Sequence, residues 1–183
     1  RLLVFAQKPA PIQVTYYPTS IGLKTIAYRM TDAYLDPVED LLPSLEKPVR
    51  LPCFLCYSPP SIAPPVGALP AGKNRFITFG SFNSFLKINS NVASLWSKIL
   101  LALPGSCLHL SSSNTIRHDK IVMDNFYALF EKNGVSRSRL KFMPFMPTLQ
   151  EHLLSYNQID IALDPFPFNG MSTTVEALWM GVP

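Results

Sequence analysis

The chain has 183 residues and a net charge of +4, and 48% of its residues are hydrophobic. This apolar share can form a sizeable core. It excludes a disordered tail, which has too few apolar side chains to offset the entropy of ordering. Three cysteines are too few for a disulfide scaffold. The sequence has no long run of like charges and no basic patch interleaved with aromatic residues, so no nucleic-acid partner is expected.

Proline divides the chain into two unlike parts, since 12 of the 18 prolines lie in residues 1–70. Strands in this first part are predicted over residues 12–16, 26–31 and 47–51. The uncharged stretch 51–72 is long enough to cross a membrane, but its six prolines prevent a continuous helix, so no membrane segment is predicted. Proline pairs before the first clear strand of the second part indicate a linker over residues 57–74.

From residue 75 onward, hydrophobic strands alternate with helices of 3.6-residue periodicity. Strands are predicted over residues 76–82, 106–110, 140–142 and 159–163. Helices are predicted from an N-cap at Asn89 or Ser90 to Pro104, and over residues 116–132, 148–156 and 172–180. This alternation predicts an α/β protein with a parallel sheet and helices on both faces. The chain stops where such a protein turns from helix to strand, so we expect a segment of a longer protein.

The loop after the predicted strand 76–82 carries polar side chains suited to phosphate. Asn83, Ser84 and Lys87 lie there, and ligands of open α/β sheets bind beyond the carboxyl ends of the strands. A lysine in this place neutralises phosphate, and the N-terminus of the following helix adds positive potential. Taken alone, such a lysine is more often a solvated surface residue.

A second loop, residues 164–176, also leads from a strand into a helix. Asn169 and Gly170 predict a tight turn with positive φ. Ser172–Thr174 would present hydroxyl and backbone N–H groups to a diphosphate, and Glu176 would accept hydrogen bonds from a ribose diol. The alternative for these residues is a plain Ser/Thr helix cap.

The histidine and cysteine patterns predict no metal site. His152 follows the loop 144–147, but no second histidine has metal-ligand spacing, and a lone histidine is more often a bystander than a ligand. Cys53 and Cys56 have CxxC spacing without a second pair, and the flanking prolines disfavour a redox motif. We interpret both cysteines as small apolar residues.

Ordered motifs run along the second part of the chain. They are Phe79–Asn83 with Lys87–Asn89, Pro144–Pro147 with Glu151-His152, and Asp160–Pro165 with Asn169–Pro183. With Lys8–Val14 and Tyr28–Asp32 upstream, they closely resemble the C-terminal catalytic region of the protein O-linked N-acetylglucosamine transferase family. That family is glycosyltransferase family 41 and includes the SPINDLY-type proteins. The resemblance covers nearly the whole chain.

The resemblance implies an α/β fold of GT-B type. Residues 1–56 would end the N-terminal Rossmann-like lobe, 57–74 would link the lobes, and 75–183 would form most of the C-terminal nucleotide-sugar-binding lobe. The implied activity is an inverting transfer of N-acetylglucosamine from its UDP-sugar to Ser or Thr of acceptor proteins, without a metal or other cofactor. Tetratricopeptide repeats upstream and a cytoplasmic or nucleocytoplasmic location are also implied.

The resemblance further implies a role for each site residue. Lys87 would be catalytic, contacting the diphosphate and stabilising the leaving group, and His152 would lie beside the uracil. Ser172 and Thr173 would bind phosphate, and Glu176 would bind ribose. The remaining residues expected to bind the UDP-sugar are Asn83, Ser84, Met146 and Thr148.

Two alternatives stay open. One is GDP-fucose-dependent protein O-fucosyl transfer, as in some SPINDLY-type relatives. The other is a degenerate, non-catalytic nucleotide-binding or interaction module. The loop 16–22 favours the second alternative, because it is shorter than the corresponding family loop and lacks that loop's Gly-Tyr-Pro-Gly motif.

Overall fold

A computed structural model describes residues 2–17, 19–37, 43–61, 63–111 and 120–183. The chain divides into two compact units, Arg1–Cys56 and Tyr57–Pro183. No helix among the described residues has the length and apolar character that a membrane crossing requires.

The first unit contains a three-stranded parallel sheet. Its strands, in spatial order, are β1 (Val14–Thr15), β2 (Tyr28–Thr31) and β3 (Lys47–Arg50). Helix α1 (Leu2–Ala6), which the sequence did not predict, precedes them. All three predicted strands are confirmed, although each is shorter than expected. Pro48 is tolerated within β3 because an edge strand does not need every backbone donor.

A buried carboxylate holds Ser20 and Gly22 of the loop that follows β1 in the first unit. Glu46 is 2% exposed and accepts hydrogen bonds from Ser20 Oγ at 2.6 Å, Ser44 Oγ at 2.8 Å and Gly22 N at 3.0 Å. Burial alone would raise the pKa of Glu46, but these hydrogen bonds outweigh it and lower the pKa to about 2. The altered loop is therefore tied to the segment that leads into β3.

The second unit contains a four-stranded parallel sheet with the order β6-β5-β4-β7. The strands are β4 (Thr78–Ser81), β5 (Cys107–Leu110), β6 (Leu140–Phe142) and β7 (Ile161–Ala162). The helices are α2 (Pro70–Asn74), α3 (Ser90–Ala102), α4 (Lys120–Glu131), α5 (Leu149–Ser155) and α6 (Ser172–Trp179). Short 3-10 turns lie at Phe85–Lys87, Arg137–Arg139 and Tyr156–Gln158. The parallel strands alternating with helices confirm the predicted α/β class.

Two apolar clusters form the core of this unit. One includes Trp96 and Leu100 of α3 with Phe130 of α4, and the other includes Leu153 of α5 with Ala177 of α6. Burying large apolar side chains is the main favourable term in folding, so these clusters hold the helices on the sheet.

The helix ends follow the sequence signals. Asn89 is the N-cap of α3, and its side-chain oxygen accepts hydrogen bonds from the backbone of Asn91 at 3.0 Å and of Val92 at 3.1 Å. Gly134 follows α4 with a positive φ of 84°, as a helix-terminating glycine does. The start predicted for α4, residues 116–119, lies outside the described residues.

Two elements of the second unit differ from the sequence prediction. The predicted strand 159–163 is only the two residues of β7, because the Ile159 N–H donates to Tyr156 O in a 3-10 turn at 3.1 Å. Helix α2 was not predicted and lies at the end of the predicted linker 57–74. Pro70 is its first residue, a position where proline needs no hydrogen-bond partner and its fixed φ suits a helix.

Asp160 joins three elements of the second unit. It is 3% exposed, and its two carboxylate oxygens accept hydrogen bonds from Ala71 N in α2 and from Thr78 N in β4, both at 2.8 Å. Because Asp160 immediately precedes β7, this carboxylate fixes where β4 and β7 begin beside each other.

We expect Asp160→Asn to lower the free energy of unfolding of the second unit by about 2 kcal/mol. The amide that replaces the carboxylate is uncharged and has one acceptor oxygen, so it cannot accept both backbone hydrogen bonds as the carboxylate does. Urea denaturation at neutral pH measures this change. Asp124→Asn is the matched control, since Asp124 forms an exposed ion pair with Arg137 at 3.2 Å. Such pairs contribute about 0–1 kcal/mol, so an equal loss in both variants would contradict the role of Asp160.

His109 is a half-buried base in the second unit. It lies on β5, its Nδ1 is buried without a hydrogen-bond partner among the described residues, and Lys141 of β6 is its neighbour across the ladder. Burial, reinforced by the charge of Lys141, lowers the pKa of His109 from 6.5 to about 4. The folded unit therefore keeps this imidazole neutral.

We expect the second unit to lose about 2 kcal/mol of stability between pH 8 and pH 5 through His109 alone. Below pH 6.5 the His109 imidazole binds a proton in the unfolded chain, whereas in the folded chain it does not bind one until about pH 4. Stability therefore falls as the pH falls. Urea denaturation across this range measures the effect, and His109→Gln should flatten the profile. An unchanged slope in the variant would disprove the assignment.

Candidate functional site

The loops that follow β4 and β7 meet at the carboxyl edge of the sheet. Asn83, which is 5% exposed, donates from Nδ2 to Asp164 Oδ1 at 3.3 Å and accepts at Oδ1 from Thr173 Oγ1 at 3.4 Å. Because β4 and β7 pair directly and in parallel, the loops that leave their carboxyl ends are neighbours. This brings together the two loops that the sequence singled out.

Lys87 lies against this junction and keeps its positive charge uncompensated. Its Nζ donates to Asn83 Oδ1 at 3.0 Å and to the backbone oxygen of Asn169 at 2.8 Å, and it stands 4.4 Å from the centroid of the Phe168 ring. All three partners are neutral. The salt bridges of the described residues do not include Lys87. An ammonium group has three protons, so one donor and the charge remain for an anion.

Asp164 shapes the loop between β7 and α6. Its carboxylate accepts hydrogen bonds from Gly170 N at 2.6 Å and from Asn169 Nδ2 at 3.1 Å. The predicted positive φ at Asn169-Gly170 is wrong, because the carboxylate bends the loop without a left-handed residue. Gly170 is still needed, since a Cβ there would meet the hydroxyl of Thr174 and would lie 2.9 Å from Asp164 Oδ1.

The N-terminus of α6 is open to a ligand. Ser172 is the first helical residue, and the N-cap position is held by Met171, whose side chain makes no capping hydrogen bond. The alternative of a plain Ser/Thr cap is therefore wrong. The first N–H groups of a helix have no partner within the helix, so they add donors and positive potential beside Thr173.

A second group of side chains lies one helical turn further along α6. His152 Nε2 is 3.0 Å from Glu176 Oε2, joining α5 to α6. The Tyr156 hydroxyl donates to Thr173 O at 3.0 Å and lies 3.3 Å from the same Glu176 oxygen. Burial and the Glu176 charge both raise the pKa of Tyr156, so the hydroxyl stays protonated. Among the described residues, the other oxygen of Glu176 accepts no hydrogen bond, so it is available to a ligand.

Aromatic rings support this second group. The Phe82 ring stacks on Tyr156 with centroids 4.0 Å apart, and His152 meets both rings edge-on at 5.6 Å and 5.4 Å. Met146 packs partly buried against the same apolar cluster. These contacts fix the orientation of the imidazole, which the family resemblance implies would lie beside the uracil.

Two of the remaining expected site residues have local structural roles. Thr148 is the N-cap of α5 and shares a capping box with Glu151, their side chains 2.8 Å apart. Ser84 precedes the 3-10 turn at Phe85–Lys87, and its carbonyl accepts the Lys87 N–H at 3.0 Å.

The sequence analysis did not single out Tyr156, and it assigned no role to Asp164 or Phe168 within the candidate loop 164–176. Asp164 had a usable signal, because a carboxylate immediately after a strand and ahead of a glycine often holds a loop by hydrogen bonds to backbone N–H groups. Tyr156 had none, since its partners on α6 are distant in sequence.

A cavity of about 60 Å³ lies between the junction of the β4 and β7 loops and the second group of side chains. Its lining includes Asn83, Asp164 and Thr173 from the junction and Tyr156 from the second group. A larger one, about 480 Å³, lies in the first unit beside α1 and is mostly apolar. It lacks converging charged groups, so the small cavity at the sheet edge is the better candidate. Among the described residues, no group of three His, Cys, Asp or Glu side chains lies close enough to hold a metal ion.

Residues 69–183 match the family described as Glycosyl transferase family 41. The chain belongs to this family. Every element of the site lies within the matched residues, from Asn83 to Glu176.

Named relatives extend the match. The chain is 41% identical to the probable UDP-N-acetylglucosamine–peptide N-acetylglucosaminyltransferase SPINDLY of Eustoma exaltatum subsp. russellianum and 40% identical to that of Arabidopsis thaliana. Each match covers 100% of this chain and 20% of the relative. The probable transferase SEC of Arabidopsis thaliana is 29% identical over 98% of this chain and 19% of its own length. The chain thus spans about one fifth of these relatives.

A solved structure confirms the expected fold. A mutant of the Thermobaculum terrenum O-GlcNAc transferase superposes with a TM-score of 0.84 at 36% identity, covering 100% of this chain and 34% of that one. The α/β fold of GT-B type that the resemblance implied is therefore shared with an O-GlcNAc transferase.

We expect Tyr156→Phe to destabilise the second unit by about 1–2 kcal/mol, because Thr173 O and Glu176 lose a buried donor. Tyr57→Phe is the matched control. The Tyr57 hydroxyl is buried and has no hydrogen-bond partner in the described part of the chain, so its removal should be neutral or slightly stabilising. Urea denaturation of both variants measures the difference, and equal losses would contradict the assigned hydrogen bonds.

Proposed function

We propose that this chain is the nucleotide-sugar-binding part of an inverting protein O-glycosyltransferase. The donor would be UDP-N-acetylglucosamine, and the acceptors would be Ser or Thr hydroxyls of proteins. One observation carries the proposal: Asn83 Oδ1 accepts hydrogen bonds from both Lys87 Nζ and Thr173 Oγ1. That shared oxygen holds the Lys87 ammonium, which forms no salt bridge with the described residues, beside the N-terminus of α6. A free positive charge next to a helix N-terminus suits a diphosphate.

The reaction explains why positive charge is needed at this place. In an inverting transfer, the acceptor oxygen forms a bond to the anomeric carbon while the bond from that carbon to the diphosphate breaks. Negative charge then grows on the departing diphosphate. Lys87 and the N–H groups at the start of α6 would stabilise that growing charge. They would therefore stabilise the transition state more strongly than the ground state, which lowers the barrier. Metal independence is part of the proposal, with these groups as the cationic partners.

The second group of side chains suits the nucleoside. The oxygen of Glu176 that neither His152 nor Tyr156 engages would accept hydrogen bonds from the ribose diol. His152 would lie beside the uracil, its ring oriented by Phe82 and by Tyr156. Ser172 would add a phosphate contact at the first turn of α6, and Ser84, Met146 and Thr148 would complete the surroundings of the UDP-sugar.

The relatives support the same donor and acceptor class. Their names describe probable UDP-N-acetylglucosamine–peptide transferases, and the structural neighbour is an O-GlcNAc transferase. Because this chain spans a fifth of those relatives, the activity, the protein acceptors and upstream tetratricopeptide repeats are proposed here as properties of the whole protein. A cytoplasmic or nucleocytoplasmic location belongs to the same proposal.

We expect Lys87→Met to weaken UDP binding by about 10- to 100-fold, because a hydrogen bond to a charged group is worth about 1.5–3 kcal/mol. Titration calorimetry with UDP measures the affinity. Lys98→Met is the matched control, since Lys98 is exposed on α3. Equal affinities for the two variants would remove Lys87 from the phosphate site.

Competition between nucleotides tests the donor. UDP should displace GDP from the chain, and the reverse preference would instead support GDP-fucose as donor. Binding of neither nucleotide, with the fold intact by circular dichroism, would overturn the proposed nucleotide site.

A further inference from the structure

The Asp164 carboxylate accepts hydrogen bonds from three neutral donors. Its Oδ1 accepts from Gly170 N at 2.6 Å and from Asn83 Nδ2 at 3.3 Å, and its Oδ2 accepts from Asn169 Nδ2 at 3.1 Å. Neither Asp164 nor Lys87 takes part in a salt bridge among the described residues. The carboxylate therefore reaches the ammonium only through the groups that lie between them.

The Asn83 side chain is the first of two amide groups between Asp164 and Lys87. Its Nδ2 donates to the carboxylate, and its Oδ1 accepts from Lys87 Nζ at 3.0 Å. The reverse orientation would set the Nδ2 group against the ammonium and the Oδ1 atom against the carboxylate, so that donor faced donor and acceptor faced acceptor. Because Asn83 is only 5% exposed, water has little access to relieve such a mismatch. Asp164 thus selects the orientation in which the amide oxygen faces Lys87.

The peptide group between Asn169 and Gly170 is the second amide. Its N–H donates to Asp164 Oδ1, and its carbonyl oxygen accepts from Lys87 Nζ at 2.8 Å. In a planar trans peptide the N–H and the C=O point in opposite directions, so holding the N–H also aims the oxygen. Asn169 is exposed, and packing therefore does little to hold this peptide plane. Both amides turn an oxygen to the ammonium because both donate to the same carboxylate oxygen.

We propose that Asp164 is a positioning residue for the Lys87 ammonium, acting through these two amide groups. This role rests on the proposed function, because Lys87 is the residue assigned there to the diphosphate. Without the carboxylate, neither amide is required to turn its oxygen to Lys87. The ammonium would then lose the two acceptors that hold it beside the N-terminus of α6, and a misplaced charge stabilises a phosphate less well.

Positioning and charge repulsion predict opposite effects of removing Asp164. A negative charge close to a phosphate site repels an anion, so its removal alone would tighten the binding of UDP. Loss of positioning would instead weaken that binding. Asp164→Asn separates the two effects, because it keeps the size of the side chain and removes the charge. The amide has one acceptor oxygen in place of two, so it cannot serve all three donors.

Lysine NMR without any ligand tests the positioning itself. Lys87 Nζ lies 4.4 Å from the centroid of the Phe168 ring, so the ring current should displace the Lys87 ε-methylene signal from that of an exposed lysine such as Lys98. In a chain labelled with ε-¹³C-lysine, loss of the signal in Lys87→Met assigns it. Asp164→Asn should move the signal toward that of Lys98, whereas Asp124→Asn should leave it unchanged. A Lys87 signal that does not move in Asp164→Asn would overturn the proposal.

Titration calorimetry with UDP tests the consequence for phosphate. We expect Asp164→Asn to weaken UDP binding by about 10-fold, a typical effect of coupling within one hydrogen-bond network. In the Lys87→Met chain the same change should cause no further loss, since Asp164 acts through the lysine. Tighter binding in Asp164→Asn would mean that the carboxylate only repels the anion. An equal loss in both backgrounds would mean that it holds the loop and not Lys87. Either result would contradict a positioning role.

The two measurements also distinguish this role from the proposed function. If the chain does not bind UDP but the Lys87 signal depends on Asp164, the nucleotide site is wrong and the positioning of Lys87 is supported. If UDP binding depends on Lys87 but not on Asp164, the phosphate role of the lysine is supported and the positioning role is wrong.

Discussion

The parallel pairing of β4 with β7 is the constraint on which the site depends. Gly80 pairs with Ala162, and a Cβ on Gly80 would lie 2.5 Å from Ile159 Cδ1, so the glycine leaves room for the buried Ile159 side chain to pack against β4. Asp160 fixes the start of the same pair through hydrogen bonds to α2 and β4. With both strands set, their outgoing loops are neighbours, and Asn83 can reach the loop that leads into α6.

Helix α6 connects the two halves of the site. Thr173 and Glu176 are three residues apart and therefore lie on the same face of the helix, one turn from each other. Thr173 contacts Asn83 at the proposed phosphate side, and Glu176 contacts His152 at the proposed nucleoside side. The Tyr156 hydroxyl, between the Thr173 carbonyl and the Glu176 carboxylate, holds this spacing. A single short helix would thus set the distance between the proposed phosphate and ribose contacts.

Local sequence signals predicted the helices and strands, whereas contacts between residues distant in sequence could not be predicted from it. The Asn89 cap and the alternation after residue 75 follow from neighbouring residues, so they were foreseen along with the family motifs. The pairing of His152 with Glu176 joins two helices, and no local spacing reveals it. The bend at Asn169-Gly170 was misassigned because its cause is the Asp164 carboxylate rather than the turn's own propensity.

The arrangement of charges favours an anion at this edge of the sheet. Asp164 lies nearby, yet its oxygens accept from Asn83, Asn169 and Gly170, all neutral donors. Asn83 then presents its own oxygen to Lys87, so the carboxylate and the ammonium are linked through an amide without forming an ion pair. A direct salt bridge would have to be broken before an anion could bind. With the amide between them, Lys87 is positioned by neutral groups and its charge remains available to a phosphate.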